Sequence, residues 1–275
     1  SVLGADDKSA IANVMTALDI VIREKRPHGD IYICFVPDEE LGEQGARKLD
    51  LTKFPVDWAY TIDCCELGEV VWETFNAGNA KLTVKGIPAH PMSSKGVMVN
   101  PTLVVHDFLN MLDRAATPEC TEGREGFIVV KGIQSNPSKA VLTMKVRDHN
   151  RKLYEEKKNL LKAAAEFLRV RHPRAGIELE LSDSYANIAD AVTNANRRGI
   201  DCLYQALEET GVEAKTRAMR GGTDGSYLSV KGVLTPNYFT GAHNFHSNCE
   251  FLPMSSWEKS LGVTLKLMEI VARGE

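Results

Sequence analysis

The chain has 275 residues, 43% hydrophobic and 25% charged, and its 33 basic against 37 acidic side chains leave a net charge of -4. That length and composition support one large or two medium globular domains with real cores, and the acidic balance leaves no broad basic surface for nucleic acid. No apolar run reaches membrane-spanning length and the first residues lack the blocks of a signal peptide, so a cytoplasmic location is expected, with the six cysteines reduced because none shows paired spacing.

In chain order, the first predicted element is a helix that follows Asp6 and Asp7. Its apolar positions Ile11, Val14, Met15, Leu18, Val21 and Ile22 keep a 3.6-residue period. Residues 31–36 (Ile-Tyr-Ile-Cys-Phe-Val) read as a strand that ends in Asp38, Glu39 and Glu40. Crowded carboxylates raise one another's pKa unless a positive charge offsets them, so this turn points to a bound cation, whereas standing alone it would be a solvated acidic turn. A second apolar stretch, residues 58–62, closes on Asp63.

From Asn79 the pattern changes. An alternating strand over residues 81–86 precedes a helix over 101–114. Two strands, 126–134 and 140–147, flank the turn Ser135-Asn136-Pro137-Ser138. A long amphipathic helix over 151–171 and a strand over 177–181 complete the order β-α-β-β-α-β, the split ferredoxin-like unit. The remainder alternates helix and strand, with an apolar segment over 233–239, the loop Gly241 to His246 and a closing helix over 254–272. The fold class expected is therefore α/β: a mostly parallel sheet covered by helices, formed by residues 1–78 and 188–275, with a ferredoxin-like lid domain at 79–187 inserted into it.

Asp6, Glu39 with Glu40, Asp63 and His246 all fall at predicted strand ends. Open α/β sheets place their ligand crevice at the carboxyl ends of the strands, so these distant residues can converge. An oxygen-rich set with one imidazole suits zinc, manganese or cobalt better than a structural thiolate site does.

The segments Leu3-Gly4-Ala5-Asp6-Asp7-Lys8, Pro37-Asp38-Glu39-Glu40-Leu41-Gly42, Ala89-His90-Pro91, Lys95 to Asn100, Arg220-Gly221-Gly222-Thr223-Asp224-Gly225 and Phe239 to His246 together resemble the M20 family of dinuclear zinc metallopeptidases. Within it the likeness is to the aminotripeptidases of the peptidase T type, and it covers nearly the whole chain. The resemblance implies that Asp6 bridges two Zn2+ ions, that Glu40, Asp63 and His246 are terminal ligands, and that Glu39 is the general base on the shared water. It further implies a homodimer formed through the lid, in which His90 stabilises the oxyanion in the partner's site. The substrate is expected to be a short peptide, its terminal carboxylate clamped by Arg220, with Arg147 and Asn187 as further substrate-binding candidates.

The resemblance has departures. The family's His-x-Asp motif belongs upstream of Leu3 and is absent, so the expectation is a piece of a longer polypeptide, inactive by itself, whose partner is the missing N-terminal segment of the same protein. Met92 and the pair Cys64-Cys65 stand where smaller residues are usual. Competing readings are another amidohydrolase of the family, such as a carboxypeptidase or deacylase, and a catalytically silent dimeric binding module.

Overall fold

A computed structural model describes residues 4–274. The chain forms two compact units, Ser1–Thr74 with Ile188–Glu275, and Phe75–Asn187. In chain order the first unit contributes helices α1 (Ala5–Glu24) and α2 (Gln44–Lys48) and strands β1 (Thr61–Cys64) and β2 (Glu69–Glu73). The second is β3 (Asn76–Lys85), α3 (Pro101–Leu109), β4 (Phe127–Ser135), β5 (Lys139–Asp148), α4 (Arg151–Arg171) and β6 (Gly176–Tyr185). The first unit then resumes with α5 (Arg198–Glu209), β7 (Lys215–Ala218), α6 (Asp224–Val230), β8 (Asn237–Phe239) and α7 (Met254–Arg273).

In the first unit the sheet order is β1-β8-β2-β7. β1 runs parallel to β8 and β2 parallel to β7, while β2 and β8 are antiparallel, so the sheet is mixed with parallel pairing in the majority. Its core joins Ile62, Val70, Val71, Tyr238 and Phe239 to Leu203, Ala206 and Leu207 of α5 and to Val263, Leu267 and Ile270 of α7.

The strand expected over residues 31–36 does not form; this segment pairs with no strand among the described residues, and Tyr32 and Phe35 are exposed. β-propensity reports how well a side chain fits a pleated surface, but the backbone becomes a strand only when a neighbour completes its ladder.

α1 also departs from the sequence pattern. Ile11, Met15 and Ile22 are exposed, and the buried face is Ser9, Asn13, Ala17 and Val21. A buried polar network explains the choice. The Asn13 amide donates to Ser260 Oγ at 2.9 Å, Thr264 Oγ1 donates to Asn13 Oδ1 at 2.7 Å, and Ser260 Oγ donates to the Phe239 carbonyl at 2.7 Å. Small side chains let α1 approach α7 closely, and the satisfied network ties both helices to the end of β8.

The second unit is a four-stranded antiparallel sheet in the order β4-β5-β3-β6, the ferredoxin-like arrangement. Alternation does the work here: Ala80, Leu82 and Val84 of β3 and Ala140, Leu142, Met144 and Val146 of β5 face one side. There they meet Val104, Val105 and Phe108 of α3 and Tyr154, Leu161, Ala164 and Leu168 of α4. Side-chain caps start both helices, Asn100 Oδ1 accepting from the Thr102 N–H and Asn150 Oδ1 from the Lys152 and Leu153 N–H groups.

Candidate metal centre

Three separate segments of the first unit deliver side chains to one place. Asp6 lies at the start of α1, where φ -93° and ψ 100° are not yet helical, and the Asp6–Asp7 peptide bond is cis. The approach is held from outside the helix, because the Ala5 N–H donates to the buried Glu250 Oε1 at 2.7 Å. Glu39 and Glu40 sit in a tight turn in which the Glu39 carbonyl accepts from Gly42 N–H at 2.9 Å and Glu43 N–H at 2.8 Å.

The third segment follows β8. Thr240 N–H donates to the Cys64 carbonyl at 2.8 Å and Gly241 N–H to the Cys65 carbonyl at 2.9 Å, so the loop leaves the sheet alongside β1. Gly241 has φ +91°, and a Cβ there would stand 2.6 Å from Ser256 Cβ, so only glycine allows the chain to turn toward His246. His246 itself has φ +60°, a left-handed conformation uncommon for a non-glycine residue.

The outcome is a group of Asp6, Glu40 and His246 with one ligand atom from each within 4.8 Å of the others. His246 Nε2 lies 2.5 Å from Glu40 Oε1 and 2.9 Å from Asp6 Oδ2. Electrostatics around this group are those of acids short of positive charge. Burial, then the neighbouring Glu40, raises Asp6 to about 6 against the opposing pull of His246. Asp7 is pushed up to about 8 by burial and by the charges of Asp6 and Glu39. Glu39 rises to about 7 through burial and the charges of Asp224, Glu40, Glu43 and Asp6. Asp63 is raised well above the carboxylate range, again by burial first and then by Asp7, Asp6, Glu39 and Glu40. A divalent cation would reverse all of these penalties together, and two carboxylates with an imidazole form a donor set that fits one.

Asp63 is near these acids yet does not join the group of three. It sits where the β1–β8 register shifts, between the pairs Ile62↔Tyr238 and Cys64↔Phe239, and its N–H donates to Asn237 Oδ1 at 2.8 Å. Such an irregularity re-aims a side chain at the rim of a sheet.

Of the remaining expected site residues, Arg220 lies partly buried between β7 and α6. In the second unit, His90 is exposed and its Nδ1 accepts from the Met92 N–H at 3.2 Å. Arg147 places its guanidinium 5.9 Å from the Tyr185 ring centroid. Asn187 is buried, its amide donating to the His149 carbonyl at 3.0 Å.

Sequence reasoning missed Asp7, Glu250 and Asp224 as parts of this surrounding. Asp224 was visible inside the Gly-Gly-Thr-Asp-Gly stretch, but only the fold shows it buried beside Glu39.

Residues 4–270 match the family model described as peptidase family M20/M25/M40. The chain belongs to this family. Among similar M20 proteins, a peptidase T-like protein of Rhizobium meliloti is 49% identical over 272 residues, an alignment that takes in 99% of this chain and 66% of that relative. The chain thus spans slightly less than two thirds of the length of that relative. Two solved structures share the M20 fold. A tripeptidase from Staphylococcus aureus has a TM-score of 0.85 at 22% identity, covering 98% of this chain and 72% of that one. A dinuclear metal-binding peptidase of the M20 family from Bacillus subtilis has a TM-score of 0.73 at 14% identity, covering 96% and 72%.

Proposed function

We propose that the protein is a dizinc aminopeptidase that hydrolyses the N-terminal peptide bond of short peptides, tripeptides above all. The observation that carries this reading is the meeting of Asp6, Glu40 and His246 from three distant segments within 4.8 Å. The names of the similar proteins, a peptidase T-like protein and a tripeptidase, support the substrate class.

Asp6, Glu40, Asp63 and His246 would hold the ions, with Asp6 shared between them. Zn2+ is favoured by the mixed carboxylate and imidazole donors, and Mn2+ or Co2+ would fit the same set. Bound there, such ions polarise a carbonyl and lower the pKa of a water.

Glu39 precedes the ligand Glu40 on the same turn, and the group of three ligand atoms takes in Glu40 and not Glu39. One carboxylate can therefore serve the ions while the other faces the reaction. Glu39 takes the proton of the attacking water and passes it to the departing amine. Arg220 offers a planar fork for the peptide's terminal carboxylate. His90, exposed on the second unit, would act on the oxyanion across a homodimer, with Arg147 and Asn187 as further substrate contacts.

The test is metal analysis of the purified native protein together with chromatography of its digestion products. Two zinc equivalents per complete site, release of the first residue from free tripeptides and loss of that activity on chelation are expected. A native protein that binds no divalent metal, or that cleaves only from the carboxyl end, ends this reading.

A further inference from the structure

A buried carboxylate lies beside the site and takes no part in the ligand set. Asp224 opens α6 and is 9% exposed, yet its Oδ1 has no hydrogen-bond partner among the described residues. The capping duty at this helix belongs to its neighbour: Thr223 Oγ1 accepts from the Gly225 N–H at 2.9 Å, and Ser226 Oγ accepts from the Thr223 N–H at 3.2 Å. Asp224 is therefore not present as a cap.

The backbone around it is tightly fixed. A Cβ on Gly225 would stand 2.4 Å from the Thr235 carbonyl oxygen, and Ser226 Oγ donates to Thr74 Oγ1 at 3.1 Å. α6 also packs on α2, where the Arg47 guanidinium lies 5.1 Å from the Tyr227 ring centroid. α2 continues directly from the turn that carries Glu39 and Glu40. The Tyr227 hydroxyl also donates to the Arg47 carbonyl at 3.4 Å, so α6, which Asp224 opens, is fastened to the helix that follows the Glu39–Glu40 turn.

Leaving a buried carboxylate oxygen unpaired is expensive, and a fold keeps such a group where a ligand completes it. An ionised carboxylate only accepts hydrogen bonds, so the partner that the buried Oδ1 lacks is a donor, and a cationic donor offsets the buried charge as well. Resting on the aminopeptidase reading above, we propose that Asp224 receives the α-ammonium group of the peptide substrate. An ammonium supplies N–H donors and a positive charge together, and it identifies a peptide by its free N-terminus.

The experiment compares the native protein with Asp224→Asn, using a free tripeptide and the same tripeptide lacking its α-amino group. In the native protein the free tripeptide has a kcat/KM to be measured and the deaminated analogue an inhibition constant. In D224N, kcat/KM for the free tripeptide is expected to fall about tenfold or more, while the inhibition constant of the deaminated analogue stays within about twofold. Asp224→Ser serves as a second variant should the amide fail to fold, which the melting temperature reports.

An equal loss for both ligands in a folded variant assigns Asp224 to structure and overturns the proposal. Tripeptide cleavage unchanged in D224N overturns it as well and leaves the aminopeptidase reading standing. Hydrolysis confined to N-acylated peptides overturns both.

Discussion

His246 Nε2 lies 2.5 Å from Glu40 Oε1 although the two residues are 206 positions apart. Neither element alone brings this about. The turn ahead of α2 presents Glu40, and the loop after β8 presents His246 in a left-handed conformation, so the pair reports that both are in place.

Removing one of these groups should therefore show first in metal affinity. Zinc is expected to raise the melting temperature of the native protein, and by mass action an ion at 1,000 times its dissociation constant stabilises by about 4 kcal/mol. His246→Ala and Glu40→Gln are expected to lose most of that gain. Differential scanning with and without zinc, paired with metal analysis, checks it; an unchanged zinc response in both variants would remove them from the ligand set.

The metal-free protein should lose stability as pH rises. Asp6, Glu39 and Asp7 hold protons up to about 6, 7 and 8 in the fold, above their ordinary carboxylate values, so the native state binds more protons than the unfolded chain from about pH 4 upward. The stability then declines most steeply at about pH 5 to 6, where all three groups are protonated in the fold and ionised in the unfolded chain, and the decline levels off above about pH 8. His246 acts in the same direction, since its pKa is raised and its favourable charge is lost as pH climbs through it. Urea unfolding in chelator at pH 5 and pH 8 should differ on the order of a few kcal/mol. Higher stability at pH 8 would contradict the crowding.

Gly241→Ala places a methyl group 2.6 Å from Ser256 Cβ on a backbone with φ +91°. A destabilisation of about 2 kcal/mol or more is expected from the clash and the disfavoured conformation together. Because the same loop carries His246, zinc affinity should weaken in parallel. Chemical denaturation and a zinc titration of the same variant test the two effects.

Asn13→Ala cuts the buried network joining α1 to Ser260 and Thr264 of α7. Losing these two buried hydrogen bonds and leaving a small void should destabilise the protein by about 2 kcal/mol. By contrast, Ile11→Ala on the exposed face of the same helix should change stability by less than about 0.5 kcal/mol. The reverse order in thermal denaturation would mean that the apolar face of α1 is the one that packs.

The second unit was legible almost element by element, because its strands alternate and its helices are amphipathic, so local pattern and tertiary burial agree. Strands β2 and β7 of the first unit gave no such signal. Each is short, and β7 is largely exposed, so its place in the sheet comes from its pairing with β2. Residues 31–36 erred in the opposite sense, carrying the apolar pattern without a partner among the described residues.

From the amino-acid order alone came the inventory: which segments alternate, where carboxylates and the imidazole cluster at segment ends, and that such residues ask for a cation. Residue types carry that information because charge and periodicity are local properties. What tertiary structure decided was proximity. It joined Asp6, Glu40 and His246 while setting Asp63 at a strand irregularity, turned the small polar face of α1 inward, and buried Asp224 beside Glu39. These outcomes depend on the path of the backbone between distant positions, which hydrogen-bond pairing, close packing and a few left-handed residues determine collectively.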